Sequence, residues 1–286
     1  MTEQPGRPKY YRGAVAISGD RIALVSDSPQ RIERYERERG EGLQVVDGAG
    51  RLVMPGLINL HNHVSMTLMR GYADDLPLMP WLTEKIWPFE AKLDGDDIYS
   101  GAELGIAEML LGGTTAFVDM YWHAEAAIRS GIRAVVSPAF VGTAFDGYVE
   151  RTQRMIERYN GAAGDRIRVW VAPHAPYTCT PEQIRESLTL CERNGVGVNI
   201  HVAETLSEVE TIRERYGKTP VEHLRDLGVF DYRALAVHCV HLTETDMEIL
   251  SRQGVSVVYN PQSNMKLASG IAPVARLLER GANVGI

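Results

Sequence analysis

Beyond Pro55-Gly56 the chain alternates short apolar runs with longer stretches of helical spacing. The runs of strand length fall at 57–63, 115–120, 133–140, 167–174, 197–202, 235–240 and 255–260. Between them, residues 98–111, 149–159, 181–194, 206–216 and 244–252 repeat apolar side chains along one helical face. Near-continuous apolar strands separated by helices predict a parallel sheet, because a strand buried on both faces has no need of polar alternation. Seven such units, with 282–286 as the start of an eighth strand, count out an α/β protein with a (β/α)8 TIM barrel. Thr180 before Pro181 predicts a helix start, an N-cap followed by a first-turn proline.

The first fifty or so residues read differently. Short β elements at 15–17, 21–25 and 43–46 flank a charged stretch, 31–41, whose mixed signs predict a solvated helix or loop. The expected division is an N-terminal β segment, 1–55, and a barrel, 56–286. A doubly wound sheet would call for a Gly-rich phosphate loop after an early strand, and no G-x-G-x-x-G is present. Gly217-Lys218-Thr219 has Ile212 where the leading glycine of such a loop belongs, so it reads as a chance match.

Composition narrows the function classes. With 44% hydrophobic and 23% charged residues the chain belongs with folded globular proteins rather than disordered or fibrous ones. A formal charge of −7 without a basic run argues against a nucleic-acid partner. Three cysteines with no C-x-x-C pair predict reduced thiols. No apolar stretch is long enough to span a bilayer, and residues 1–6 lack the apolar core of a leader. A cytoplasmic protein without a membrane partner is the expectation.

Most of the eight histidines fall at the C-terminal ends of the strand candidates, the face on which barrel active sites are built. His61 and His63 are two apart, and on an extended strand both imidazoles point to one side, which favours a metal site over packing. His201 ends another strand and would add a third imidazole. Glu204 follows where the chain turns, either as a proton carrier for metal-assisted hydrolysis or as a helix cap. His174 and His238 occupy two further strand ends. His123 and His223 lie in helical segments and read as structural, and His241, past a strand end, is expected to contact backbone.

Five motifs follow in order: Met-Pro-Gly-Leu-Ile-Asn-Leu-His-Asn-His ending at His63, His-Ala-Pro-Tyr from His174, His-Val-Ala-Glu-Thr from His201, His-Cys-Val-His-Leu from His238, and Asn-Pro-Gln-Ser-Asn-Met-Lys-Leu from Asn260. Together they resemble the amidohydrolase superfamily and, within it, the 5′-methylthioadenosine/S-adenosylhomocysteine deaminases, from about residue 10 to the last residue. Guanine deaminases and triazine chlorohydrolases carry similar motifs. The resemblance implies one zinc ion per subunit, with iron(II) or manganese(II) as alternatives, held by His61, His63 and His201. Glu204 then corresponds to the proton shuttle and His238 to the residue that hydrogen-bonds the water at the metal. Glu90, in Trp-Pro-Phe-Glu, would hold the ribose hydroxyls, Trp81 would pack against the nucleoside and His174 would contact the purine. A core aromatic and a surface carboxylate are the plain alternatives for Trp81 and Glu90. The implied reaction is hydrolytic deamination of an adenine nucleoside to its inosyl product and ammonia, by a homo-oligomer acting on a small molecule.

Two departures qualify the resemblance. Some relatives carry an arginine beyond the third strand suited to the carboxylate of homocysteine. Here Ser137-Pro138-Ala139 offers none, although Arg151 lies downstream, which leaves preference for the larger substrate open. The aspartate of the family's Gly-Thr-Asp, a metal ligand after the start of the eighth strand, would fall past Ile286, as would the strands that complete a β-sandwich with 1–55. On this reading the chain is a fragment, or one part of a longer protein. Its barrel is expected to be open, or nearly so, between the first and eighth strands, with weak zinc retention and little activity in residues 1–286 alone. The competing readings are an amidohydrolase of the guanine deaminase or triazine chlorohydrolase type, or a non-catalytic scaffold.

Overall fold

The computed structural model describes residues 10–286, so the expected β segment is described from Tyr10 onward and the leader reading of 1–6 lies outside the described residues. The chain forms two compact units, Met1–Gly56 and Leu57–Ile286. In the first, strands Ala14–Ser18 and Arg21–Ser26 pair as an antiparallel hairpin turned at Gly19, whose φ of 60° suits glycine. The charged stretch forms helix Pro29–Arg39, capped by Ser28 and with no buried residue, as expected of a solvated element. The strand expected at 43–46 does not form, and Val45 and Val46 stand 70% and 75% exposed. An apolar run becomes a strand only where another strand's edge takes its N–H and C=O groups.

The second unit is the expected barrel. Its strands in chain order begin with Leu57–Asn62, Thr114–Asp119, Arg133–Val136 and Ile167–Val169, paired in parallel. Val198–Val202, Ala234–His238, Ser256–Val258 and Asn283–Gly285 follow, also in parallel. The third and fourth strands are each interrupted and resume as the pair Ala139–Phe140 and Ala172–Pro173. The third breaks at Ser137-Pro138, where proline lacks the N–H that a ladder needs. Fourth and fifth strands join through Val171, which donates to Gly197 O at 2.9 Å and accepts from Asn199 N at 2.8 Å.

The expected gap between the first and eighth strands is crossed by one backbone bond, Leu60 N–H to Ile286 O at 3.0 Å. Parallel pairing of Asn283–Gly285 with the seventh strand carries the chain there. Gly285 makes the approach possible, since a Cβ at that position would lie 2.2 Å from Leu60 Cδ1. A cavity runs along this seam, lined by Leu57, Ile58 and Ile286, up to the strand ends.

Helix Pro181–Asn194 starts as the sequence predicts, with Thr180 capping Gln183 N and Gln183 returning to Thr180 N. Helices Ala124–Ser130, Pro220–Asp226 and Val274–Glu279 are too short for periodicity to announce them. Gly217 ends one helix, Thr219 caps the next and Lys218 pairs with Asp226 at 2.6 Å, which gives the Gly-Lys-Thr triplet a structural role. Among the described residues no helix is long and apolar enough to cross a membrane.

Helix Gly95–Leu111 lies against the turn Val64–Met69 that follows the His61/His63 strand end. Gly101 and Gly105 permit this: a Cβ on Gly101 would meet Ser65 O at 2.5 Å, and one on Gly105 would meet Val64 Cγ2 at 2.7 Å. Alanine in a helix gains about 1 kcal/mol over glycine, whereas overpacking costs about 1–3 kcal/mol. At Gly105 the clash with the fully packed Val64, whose carbonyl oxygen would lie 3.0 Å from the added Cβ, should win. Gly105→Ala is therefore expected to lower the urea midpoint at unchanged m-value; an equal or higher midpoint would show that the turn and helix have room to part.

Candidate active site

The period-two spacing of His61 and His63 brings both rings to the C-terminal mouth of the barrel, and the fifth strand delivers His201 to the same point. His201 Nε2 lies 3.2 Å from His61 Nε2 and 3.3 Å from His63 Nε2. The three residues form a group able to hold a metal ion, their ligand atoms all within 4.8 Å of one another. The donor set fits such an ion. A carbonyl can only accept, so the 2.7 Å contact between His201 Nδ1 and His174 O places the ring proton on Nδ1 and leaves Nε2 with a lone pair. Tetrahedral coordination at about 2.0–2.1 Å would separate two nitrogens by about 3.3 Å, close to the observed spacing. Burial lowers all three pKa values, that of His63 to about 3, so each ring is neutral and ready to bind a cation at pH 7.

Glu204 and His238 border this cluster, Glu204 Oε2 lying 3.6 Å from His238 Nε2. Both are buried. Burial pushes the Glu204 carboxyl up to about 7 and His238 down to about 4. Glu204 is not the helix cap: Thr205 caps helix Leu206–Tyr216 through its hydroxyl, leaving the Glu204 carboxyl facing the cavity. Two strand ends reach these positions through left-handed backbone, with φ of 50° at Ala203, 73° at His238 and 48° at Cys239. Each such residue costs about 1–2 kcal/mol, and strain of this kind collects where a side chain must leave the line of its strand.

The remaining residues singled out in the sequence also reach the cavity. His174 lines it, with Nδ1 3.0 Å from Thr178 Oγ1. Trp81 opens the π-helical turn Trp81–Ile86 and lines the cavity, its indole N–H donating to Ala73 O at 3.1 Å. Glu90 is half-buried rather than a surface carboxylate; it accepts the Tyr121 hydroxyl, and burial pushes it up to about 7. His241 contacts backbone as expected, its Nε2 2.7 Å from Ser269 O. His223 stacks on Tyr216, and His123 sits between Tyr99 and Trp122.

Four residues at the site escaped the sequence reading. Asn264 Oδ1 lies 2.8 Å from His238 Nδ1, and Asp119 accepts the N–H of Val64, the residue after His63, at 2.8 Å. Tyr121 holds Glu90, and Glu208 accepts from the backbone at Glu204. Asn264 stands inside the last quoted motif, and Asp119 is a lone acid closing an apolar strand, so each left a trace; Tyr121 and Glu208 left none.

Fold and cluster together define the class: a (β/α)8 barrel with a histidine group able to take a metal at the C-terminal ends of its strands. The sequence profile of the Amidohydrolase family matches residues 52–286, and the chain belongs to that family. A 5-methylthioadenosine/S-adenosylhomocysteine deaminase of Desulforamulus reducens is 53% identical over 249 residues, 85% of this chain and 58% of that protein. A 5′-deoxyadenosine deaminase of Methanothermobacter thermautotrophicus is 44% identical over 283 residues, 96% of this chain and 64% of that protein. The crystal structure of an adenosine deaminase from Xanthomonas campestris with bound zinc matches with a TM-score of 0.83 at 34% identity, over 96% of this chain and 63% of that one. The chain thus spans about three fifths of the length of these relatives.

The geometry separates His61 from His174. His61 offers a ring nitrogen to the cluster, whereas His174 serves it through a main-chain carbonyl that alanine retains. In the intact protein His61→Ala should lower metal affinity by more than the roughly 10–100-fold that losing an outer hydrogen-bond partner costs, with His174→Ala near wild type. Chelator competition followed by metal analysis measures both, and equal losses would refute the assignment.

Proposed function

We propose that this chain carries the metal-binding and proton-transfer groups of a hydrolytic deaminase of adenine nucleosides, 5′-methylthioadenosine and 5′-deoxyadenosine among them. The observation that carries the reading is the meeting of His61, His63 and His201 with Glu204 and His238 at one end of a cavity of about 950 Å³. The names of the relatives support the substrate class. Zinc is the metal we assign to the three imidazoles, with iron(II) or manganese(II) as alternatives. When bound, it would supply Lewis acidity and a positive charge that make water a nucleophile at neutral pH. The three cysteines, all unpaired and buried, support a cytoplasmic setting.

Deamination consumes one water: its oxygen joins the amino-bearing carbon, and its two hydrogens end on the adjacent ring nitrogen and on the departing ammonia. Glu204 would move both. Raised to about 7, its carboxyl holds a proton for the ring nitrogen near neutral pH and, once ionised, can take the next one. His238, its Nδ1–H directed at Asn264, presents a neutral Nε2 lone pair that can orient the attacking water. Trp81 would stack on the nucleoside, His174 would contact the purine through Nε2, and Glu90, steadied by Tyr121, would accept the ribose hydroxyls.

In the intact enzyme Glu204→Gln should lower turnover by on the order of 10²–10⁴ with bound metal unchanged. Near-normal turnover would reject the shuttle, and turnover of guanine or a chlorotriazine in place of adenine nucleosides would reject the substrate class.

The cavity wall also bears on the choice of nucleoside. Among the described residues lining it are the carboxylates Glu90 and Glu204 but no lysine or arginine. A substrate carboxylate would enter without a cationic partner, at a cost of about 1–3 kcal/mol or more. Methylthioadenosine should therefore exceed S-adenosylhomocysteine in kcat/KM by roughly tenfold or more; equal values would show that a cation reaches the substrate tail.

A further inference from the structure

Five helices of the barrel unit begin with an N-cap side chain and carry an acidic or amide side chain three residues later. Four of them close the box in the ordinary way. Asp97 returns to Asp94 N at 3.2 Å, Gln183 to Thr180 N and Glu222 to Thr219 N at 2.9 Å, and Asp246 to Thr243 N at 2.8 Å. The fifth helix, Leu206–Tyr216, has the same pattern in Thr205 and Glu208, and Thr205 caps Glu208 N at 3.2 Å. Its carboxylate, however, reaches back past the cap. One oxygen accepts the N–H of Ala203 and the other the N–H of Glu204, each at 2.8 Å.

The segment so held is the left-handed turn by which the chain leaves the fifth strand between His201 and Glu204. On its other side, Ala203 O accepts from Val240 N at 3.1 Å and His241 N at 3.0 Å, in the turn that follows His238. The Ala203–Glu204 peptide is thus clamped from the helix by Glu208 and from the sixth strand end by backbone donors. Glu208 is 2% exposed, so water does not compete for these bonds. We infer that Glu208 is a positioning residue for deamination, holding the Glu204 backbone so that the Glu204 carboxyl stays at the reacting end of the cavity. This rests on the proton-transfer role proposed for Glu204. Misplacement by about 1 Å can cost about 10²-fold in rate, and Glu208→Gln replaces one accepting oxygen by an amide group that faces an N–H.

The test is a double-mutant cycle in the intact, metal-loaded enzyme. Glu208→Gln should lower kcat by about 10–100-fold, with KM within about threefold and metal content unchanged. In a Glu204→Gln background the same change should cost less than about twofold, because it acts through the group already removed. Thr205→Ala, which removes the cap and leaves both carboxylate bonds, should lower Tm and keep kcat. Normal kcat in Glu208→Gln, or an equal further loss in the Glu204→Gln background, would overturn the inference. If Glu208→Gln does not fold, Glu208→Asp goes through the same cycle; loss of the fold in both would assign the carboxylate to stability and overturn the inference too. A Glu204→Gln enzyme of normal activity would instead refute the proton-transfer role itself.

Discussion

The carbonyl oxygen of His174 accepts a hydrogen bond from His201 Nδ1–H at 2.7 Å, and the cluster depends on that contact. It leaves the Nε2 lone pair of His201 facing two other imidazole nitrogens at 3.2 and 3.3 Å. Burial keeps all three rings from charging. Neutral ring nitrogens whose lone pairs face one another are poorly satisfied by one another and well satisfied by a cation. The barrel imposes the arrangement: His201 pairs with Val237, one residue before His238, so fifth and sixth strands end level and their side chains share the mouth.

Strand ends alone do not aim Glu204, proposed to transfer protons, and His238, proposed to orient the water. Glu204 follows a left-handed alanine and His238 is itself left-handed, and both departures are tied down by hydrogen bonds. Asn264 sets the tautomer of His238, Asp119 holds the chain just after His63, and Glu208 holds the chain at Glu204. All three are buried, and Asp119 and Glu208 have their partners in place, the condition under which such groups add rigidity rather than cost, whereas Asn264 uses Oδ1 and leaves Nδ2 without a partner.

The pattern of apolar runs was enough to count the barrel strands, and the two-residue periodicity of Leu60-His61-Asn62-His63 was enough to pair two imidazoles. Both depend on local geometry, and local geometry is written in spacing. The breaks in the third and fourth strands, the absent strand at 43–46 and the single bond from Leu60 to Ile286 depend on what lies across from each segment. The two readings left open for Glu204 were separated by its neighbour, since Thr205 supplies the cap. Asn264, Asp119 and Glu208 act on partners 26, 55 and four residues away, and their types are ordinary for turns and helix starts. Asn264 and Asp119 left as traces only a motif position and a lone acid at a strand end, and nothing in composition or periodicity distinguishes Glu208 from the capping residues found elsewhere in the chain.

X-ray absorption at the metal edge of the intact protein, reconstituted with zinc, reads the ligand shell itself. The three-histidine assignment requires three imidazole nitrogens at about 2.0–2.1 Å, with the imidazole scattering reduced in His201→Ala. A shell of sulfur at about 2.3 Å, which would bring in a cysteine such as the buried Cys239, or a shell of oxygen alone, would contradict it.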